Sequence, residues 1–128
     1  MYERILVATD GSPLSEKAVT SALSLAKLCG ASLVALKVVP RYPRSYLEGG
    51  VTVDNAEIKR IEAQWAEQTQ AMLDKVKAEG KAVGVTVKTS IAKSDLVAEA
   101  IMSAATKQKA DLIVMASHGR KGLKRLLL

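Results

Sequence analysis

Short apolar runs alternate with longer segments of helical periodicity along the 128-residue chain. That alternation predicts repeated βαβ units, and so an open, parallel, doubly wound α/β sheet with helices on both faces. Ile5-Leu6-Val7-Ala8 reads as the first strand. It runs into Thr9-Asp10-Gly11-Ser12-Pro13, where Gly allows the turn, Ser12 suits a helix N-cap and Pro13 the first helical position. Ala18, Ala22, Leu25, Ala26 and Cys29 keep helical spacing up to Gly30, a stop signal. Leu33 to Val39 reads as a second strand, buried except at Lys37. Pro40 and Pro43 then open a connection reaching about Asp54, long enough to be a candidate lid.

The strongest helical pattern follows, from about Asn55 to Glu79, with Ile58, Ile61, Trp65, Thr69, Met72 and Val76 spaced by threes and fours. This stripe, Trp65 included, is expected to face the core, and Gly80 to end the helix. Val83, Val85 and Val87 alternate with Gly84, Thr86 and Lys88, the pattern of a strand buried on one face and therefore near a sheet edge. Ser94 is the expected cap of the next helix, with Asp95 in its first turn and Val97, Ala100, Ile101, Ala104 and Ala105 turned inward. Leu112 to Ala116 is the fourth strand, followed by Ser117-His118-Gly119-Arg120-Lys121-Gly122 and a helix-like start at Leu123 to Leu128. The chain reads as one domain, residues 1–128, whose last helix is cut short at its C-terminus.

Composition refines this picture. With 48% hydrophobic and 25% charged residues, the chain is globular in character, and its length suits one domain. Aromatics are only 3% and Phe is absent, so the core has to be built from aliphatic residues. No window reaches the roughly 20 apolar residues of a membrane span and no secretory leader is evident, so a cytoplasmic protein is expected. Cys29 is the sole cysteine and reads as a small buried hydrophobe. The net charge of +6 raises nucleic acid as a partner, but basic residues are dispersed among carboxylates. Local excess is confined to Arg41 with Arg44, and to Arg120, Lys121, Lys124 and Arg125.

Ligands of open parallel sheets bind beyond the carboxyl ends of the strands, where chain order reverses. With strand three at an edge, right-handed crossovers put the reversal between strands one and four. The Thr9-Asp10-Gly11-Ser12 and Ser117-His118-Gly119 loops would then share one crevice. The second offers glycines, a hydroxyl, an imidazole and nearby cations to an oxyanion, which points to phosphate. Asp10 would repel phosphate but can accept hydrogen bonds from ribose or adenine. Together the two loops suggest a nucleotide. Each feature also has a structural reading: the glycines as turn formers, Asp10 as a capping residue, His118 as a loop-orienting hydrogen bonder with no partner for metal or acid–base work. P-loop, dinucleotide-binding and nucleophile-elbow motifs are missing from the sequence.

Arg4-Ile5-Leu6-Val7-Ala8-Thr9-Asp10-Gly11-Ser12 and Asp111-Leu112-Ile113-Val114-Met115-Ala116-Ser117-His118-Gly119-Arg120 together resemble the universal stress protein family. The resemblance implies an adenine nucleotide α-hydrolase-like sheet of strand order 3-2-1-4-5. It also implies, for the ATP-binding branch, a Gly-x2-Gly-x9-Gly-Ser/Thr motif. Gly119 and Gly122 match its first half; the third glycine would fall beyond Leu128, as would strand five. By the same resemblance, Ala8, Thr9, Asp10, Val38, Met115, Ala116, Ser117, His118, Gly119 and Gly122 are the expected nucleotide-binding residues, with Ala116 standing where glycine is frequent. ATP with Mg2+ or Mn2+ is the implied cofactor, a homodimer the implied assembly, and stress-response regulation the implied role. Catalytic and metal-ligating residues are not expected, beyond slow ATP hydrolysis or autophosphorylation. A nucleotide-independent dimeric adaptor is the alternative from the same family; a nucleotide α-hydrolase and a nucleic-acid binder are weaker ones.

Overall fold

The computed structural model describes residues 2–39 and 55–116. The long connection after Val39, with Arg41 and Arg44, and the segment from Ser117 to Leu128 lie outside the described residues. In chain order the elements are β1 (Arg4–Ala8), α1 (Pro13–Cys29), β2 (Ser32–Val39), α2 (Asn55–Val83), β3 (Val87–Lys93), α3 (Val97–Lys107) and β4 (Leu112–Met115). The four strands form one parallel sheet in the order β3-β2-β1-β4, with β3 at an edge and the reversal between β1 and β4. Among the described residues, no helix is long and apolar enough to cross a membrane.

Strand alternation divides the core between two faces. Ile5, Val7, Leu33, Ala35, Leu112 and Val114 point towards α1 and α2, where they pack with Ala18, Ala22, Ala26, Leu73 and Val76. Leu6, Val34 and Leu36 point the other way and meet Ile101 and Ala105 of α3. The crossovers into β2 and β3 thus lie on one face and the return to β4 on the other, as the chain reversal demands. Helix α1 begins as its sequence predicts: Ser12 Oγ accepts the Ser15 N–H, and Pro13 follows the cap. Gly30 closes it.

Several expectations are corrected. Helix α2 does not stop at Gly80 but continues to Val83, and ends on Gly84, whose φ of 82° only glycine adopts readily. Gly80 is required for a different reason: a Cβ there would collide with Val87 Cγ2 and lie 3.1 Å from Val85 O. It lets the helix pass close to the start of β3. The strand itself begins at Val87, so Val83 belongs to the helix and only Val85 and Val87 keep their buried positions.

Trp65 is 39% exposed, not core. The stripe is buried from Thr69 onward, while Ile58 and Ile61 are half-buried, because α2 covers the sheet only over its C-terminal half. Ser94 does not cap α3: Leu96 occupies the cap, and Ser94 Oγ instead accepts the Leu96 N–H at 3.0 Å within the preceding turn. The helix starts two residues later than a Ser94 cap requires, with Val97 turned outward, 53% exposed, and Ile101 and Ala105 buried. The second strand is fully buried only from Leu33 to Leu36, and its last three residues are half-buried at the carboxyl end.

Candidate functional site

The carboxyl ends of β1, β2 and β4 lie side by side. Ala8 is in register with Leu36 on one side and Met115 on the other, and Val38 lies two residues beyond Leu36. Ala8, Val38 and Met115 all project to the α3 face, where they are half-buried against its core cluster. They make an apolar floor at the end of the sheet where the chain order reverses. Thr9 and Ala116, one residue further along their strands, point to the opposite face by strand alternation. Thr9 is buried there, and Ala116 packs against the cluster beneath α1 and α2. The structure therefore brings three of the expected residues together as a surface, and puts the side chains of two behind it.

Asp10 stands at the rim of that floor, exposed, on a turn held by hydroxyl groups. Thr9 N–H continues the sheet ladder to Leu36 O at 2.9 Å. Thr9 Oγ1 donates to Ser15 Oγ at 3.1 Å, and Ser15 Oγ donates to Ser12 O at 3.0 Å while also accepting the Asp10 N–H at 3.4 Å. Gly11 turns the chain with φ of 82° and donates its N–H to Thr9 Oγ1 at 3.3 Å. Asp10 Oδ1 accepts the Ser12 N–H at 2.9 Å, a local bond across the turn. Buried hydroxyls thus carry the backbone's needs, and the carboxylate is displayed outside them.

Ser15 is the member that sequence reasoning missed. It is 3% exposed and joins both flanks of the turn. Its signal was present: a serine three residues after the Ser12 cap and three before Ala18, on the buried stripe of α1. Ser117, His118, Gly119 and Gly122 lie outside the described residues.

Three clefts flank the strand ends. One of about 110 Å3 opens between α1 and α2 beside Thr9 and Gly11, with Met72, Glu16 and Lys75 in its walls. Another of about 90 Å3 is formed by Val39, Trp65, Thr69, Ile91 and Lys93. A larger groove of about 540 Å3 runs between α3 and β4, past Ile101, Met102, Ile113 and Met115.

The opposite end of β1 carries a carboxylate with a perturbed pKa, that of Asp111. Asp111 Oδ2 accepts the Glu3 N–H at 2.8 Å and Oδ1 the Arg4 N–H at 3.1 Å, while Asp111 N–H donates to Arg4 O at 2.9 Å. Arg4 Nη1 adds a bond to Gln108 O at 2.7 Å. The Glu3 N–H foremost, and then that of Arg4, holds the Asp111 carboxyl below its ordinary 3.8, since hydrogen bonds to the charged form favour it. This clasp joins β4 to β1 far from the apolar floor.

The same fold occurs in known proteins. The universal stress protein family model matches residues 1–128. The chain belongs to the universal stress protein family. A universal stress protein of Methanocaldococcus jannaschii is 35% identical over 130 residues, covering 100% of this chain and 72% of the relative. The structure of a universal stress protein family member from Burkholderia pseudomallei superposes with a TM-score of 0.76 at 31% identity, covering 91% of this chain and 83% of that one. A universal stress protein solved in complex with cAMP gives a TM-score of 0.63 at 25% identity, over 88% of this chain and 74% of that one. The parallel sheet of order β3-β2-β1-β4 agrees with the strand order that the family resemblance implied, and its fold matches that of the family structure.

Proposed function

We propose that this universal stress protein binds an adenine nucleotide, ATP in particular, at the carboxyl end of its sheet, and that it acts as a stress-response regulator rather than a dedicated catalyst. The observation that carries the reading is the juxtaposition of an exposed Asp10 on a braced turn with the half-buried floor of Ala8, Val38 and Met115. A flat, largely apolar base suits the floor, and ribose hydroxyls suit a carboxylate acceptor at its rim. The donor set fits a nucleoside. It does not fit phosphate, which Asp10 would repel; the phosphates are assigned to Ser117, His118, Gly119 and Gly122 on the Gly-x2-Gly pattern, with Mg2+ or Mn2+ accompanying them. A relative solved with cAMP supports the adenine preference. The nucleotide state is read out through a change of partners by a cytoplasmic homodimer.

Calorimetric titration of the full chain with ATP and Mg2+ tests this reading. Saturable binding of ATP that Asp10→Ala weakens supports it. A folded protein that binds no adenine nucleotide overturns it and leaves the nucleotide-independent adaptor.

A further inference from the structure

The turn that carries Asp10 is touched from α2 by a thioether. A Cβ on Gly11 would lie 2.9 Å from Met72 Sδ and 3.8 Å from its Cγ, so the sulfur sits against the glycine where other residues would place a methyl group. Met72 is half-buried between Thr69 and Val76, which anchor the same face of the helix in the core. Met72 lines the cleft of about 110 Å3 next to Glu16 and Lys75, whose side chains are 61% and 66% exposed. The cleft is flanked by these exposed side chains.

We propose that Met72 is the positioning residue of the Asp10–Gly11 turn, and that its oxidation by a peroxide shifts the turn and weakens nucleotide binding. The chemistry is a two-electron oxygen transfer: the O–O bond of hydrogen peroxide breaks, an S–O bond forms on Met72, and the peroxide leaves as water. The thioether is an apolar group fitted between the core and Gly11; the sulfoxide is polar and larger at the sulfur. Its oxygen has two places to go. One is the apolar surface of Val19 and Val76, where a polar atom is disfavoured; the other is the space against Gly11, occupied now by a glycine hydrogen. Both displace the contact that sets the turn. The consequence for nucleotide rests on the function proposed above, whereas the movement of the turn does not.

The experiment treats the full chain with hydrogen peroxide, locates added oxygen by peptide mass spectrometry, and follows the Asp10 and Gly11 amide resonances before any nucleotide is added. Formation of Met72 sulfoxide is expected to move both resonances, to weaken ATP binding about tenfold, and to be reversed by methionine sulfoxide reductases. Met72→Leu keeps an apolar group of similar volume without an oxidisable sulfur, so peroxide should leave Gly11 in place. Met102→Leu removes a methionine that is 61% exposed on α3, and should leave the response intact. Oxidation of Met102 without Met72, Met72 sulfoxide with an unmoved Gly11 amide, or an unchanged response in Met72→Leu each overturns the proposal. A moved Gly11 amide in a protein that binds no adenine nucleotide upholds the coupling and defeats only the nucleotide reading.

Discussion

The two ends of β1 solve the same problem with different groups. At the amino end, the Asp111 carboxylate itself takes two backbone N–H groups, one on each oxygen, and so joins β4 to β1. At the carboxyl end, the neutral hydroxyls of Thr9, Ser12 and Ser15 take that work, with one short bond from Ser12 N–H to Asp10. A carboxylate spent on backbone N–H groups is a structural element; one displayed beside a half-buried apolar floor can meet a ligand. The local sequences, each an aspartate next to a strand, do not distinguish the two.

The largest effect that would sharpen this contrast is expected at Ser15. Ser15→Ala removes the partner of the buried Thr9 hydroxyl and of the Asp10 N–H, and should destabilise the protein by about 1–3 kcal/mol in urea unfolding, with ATP binding weakened as well. Asp10→Ala should separate the two properties. Binding is expected to fall by at least about tenfold, or about 1.4 kcal/mol, while the unfolding midpoint moves less than in Ser15→Ala, because Asp10 is exposed and the buried hydroxyls that brace the turn stay in place. Equal losses of stability in both variants would erase the distinction between brace and displayed acid.

At the amino end the prediction reverses: Asp111→Asn should lower the melting temperature and leave ATP affinity unchanged. Its pH signature follows from the depressed folded-state carboxyl. The contribution of Asp111 is complete above the unfolded value near 3.8 and is lost as pH falls through the lower folded value, so acid should close the stability gap between wild type and Asp111→Asn. A gap that persists or widens in acid would show that the clasp is not made by the ionised carboxylate. Smallest of all is the 3.8 Å pair of Lys75 and Glu16 at the cleft mouth, both largely exposed; Lys75→Met should change stability by less than about 0.5 kcal/mol.

How much could be read beforehand follows the range of the interactions. Strand order, the edge position of β3 and the caps of α1 were legible, because apolar runs, Ser12, Pro13 and Gly30 act locally or through general rules of chain crossing. Gly80 was misread because its role is set by Val87, a neighbour brought close only by the return of the chain into β3. Trp65 and Val97 follow helical spacing yet face solvent, since periodicity identifies a face but not how far along the helix the sheet extends beneath it. At the candidate site, Asp10 was singled out from its loop and Ala8, Val38 and Met115 through the family resemblance, whereas Ser15 and the Met72 contact with Gly11 were not. Both act across a turn or between helices, where residue type alone carries little signal.

The most direct test is an amide NMR titration of the 15N-labelled full chain with ATP and Mg2+. The account predicts saturable shifts concentrated at Ala8, Asp10, Gly11, Val38 and Met115, with Glu3, Arg4 and Asp111 unmoved. Saturable shifts centred on the Asp111 clasp, or none at the carboxyl ends of the strands, would contradict it.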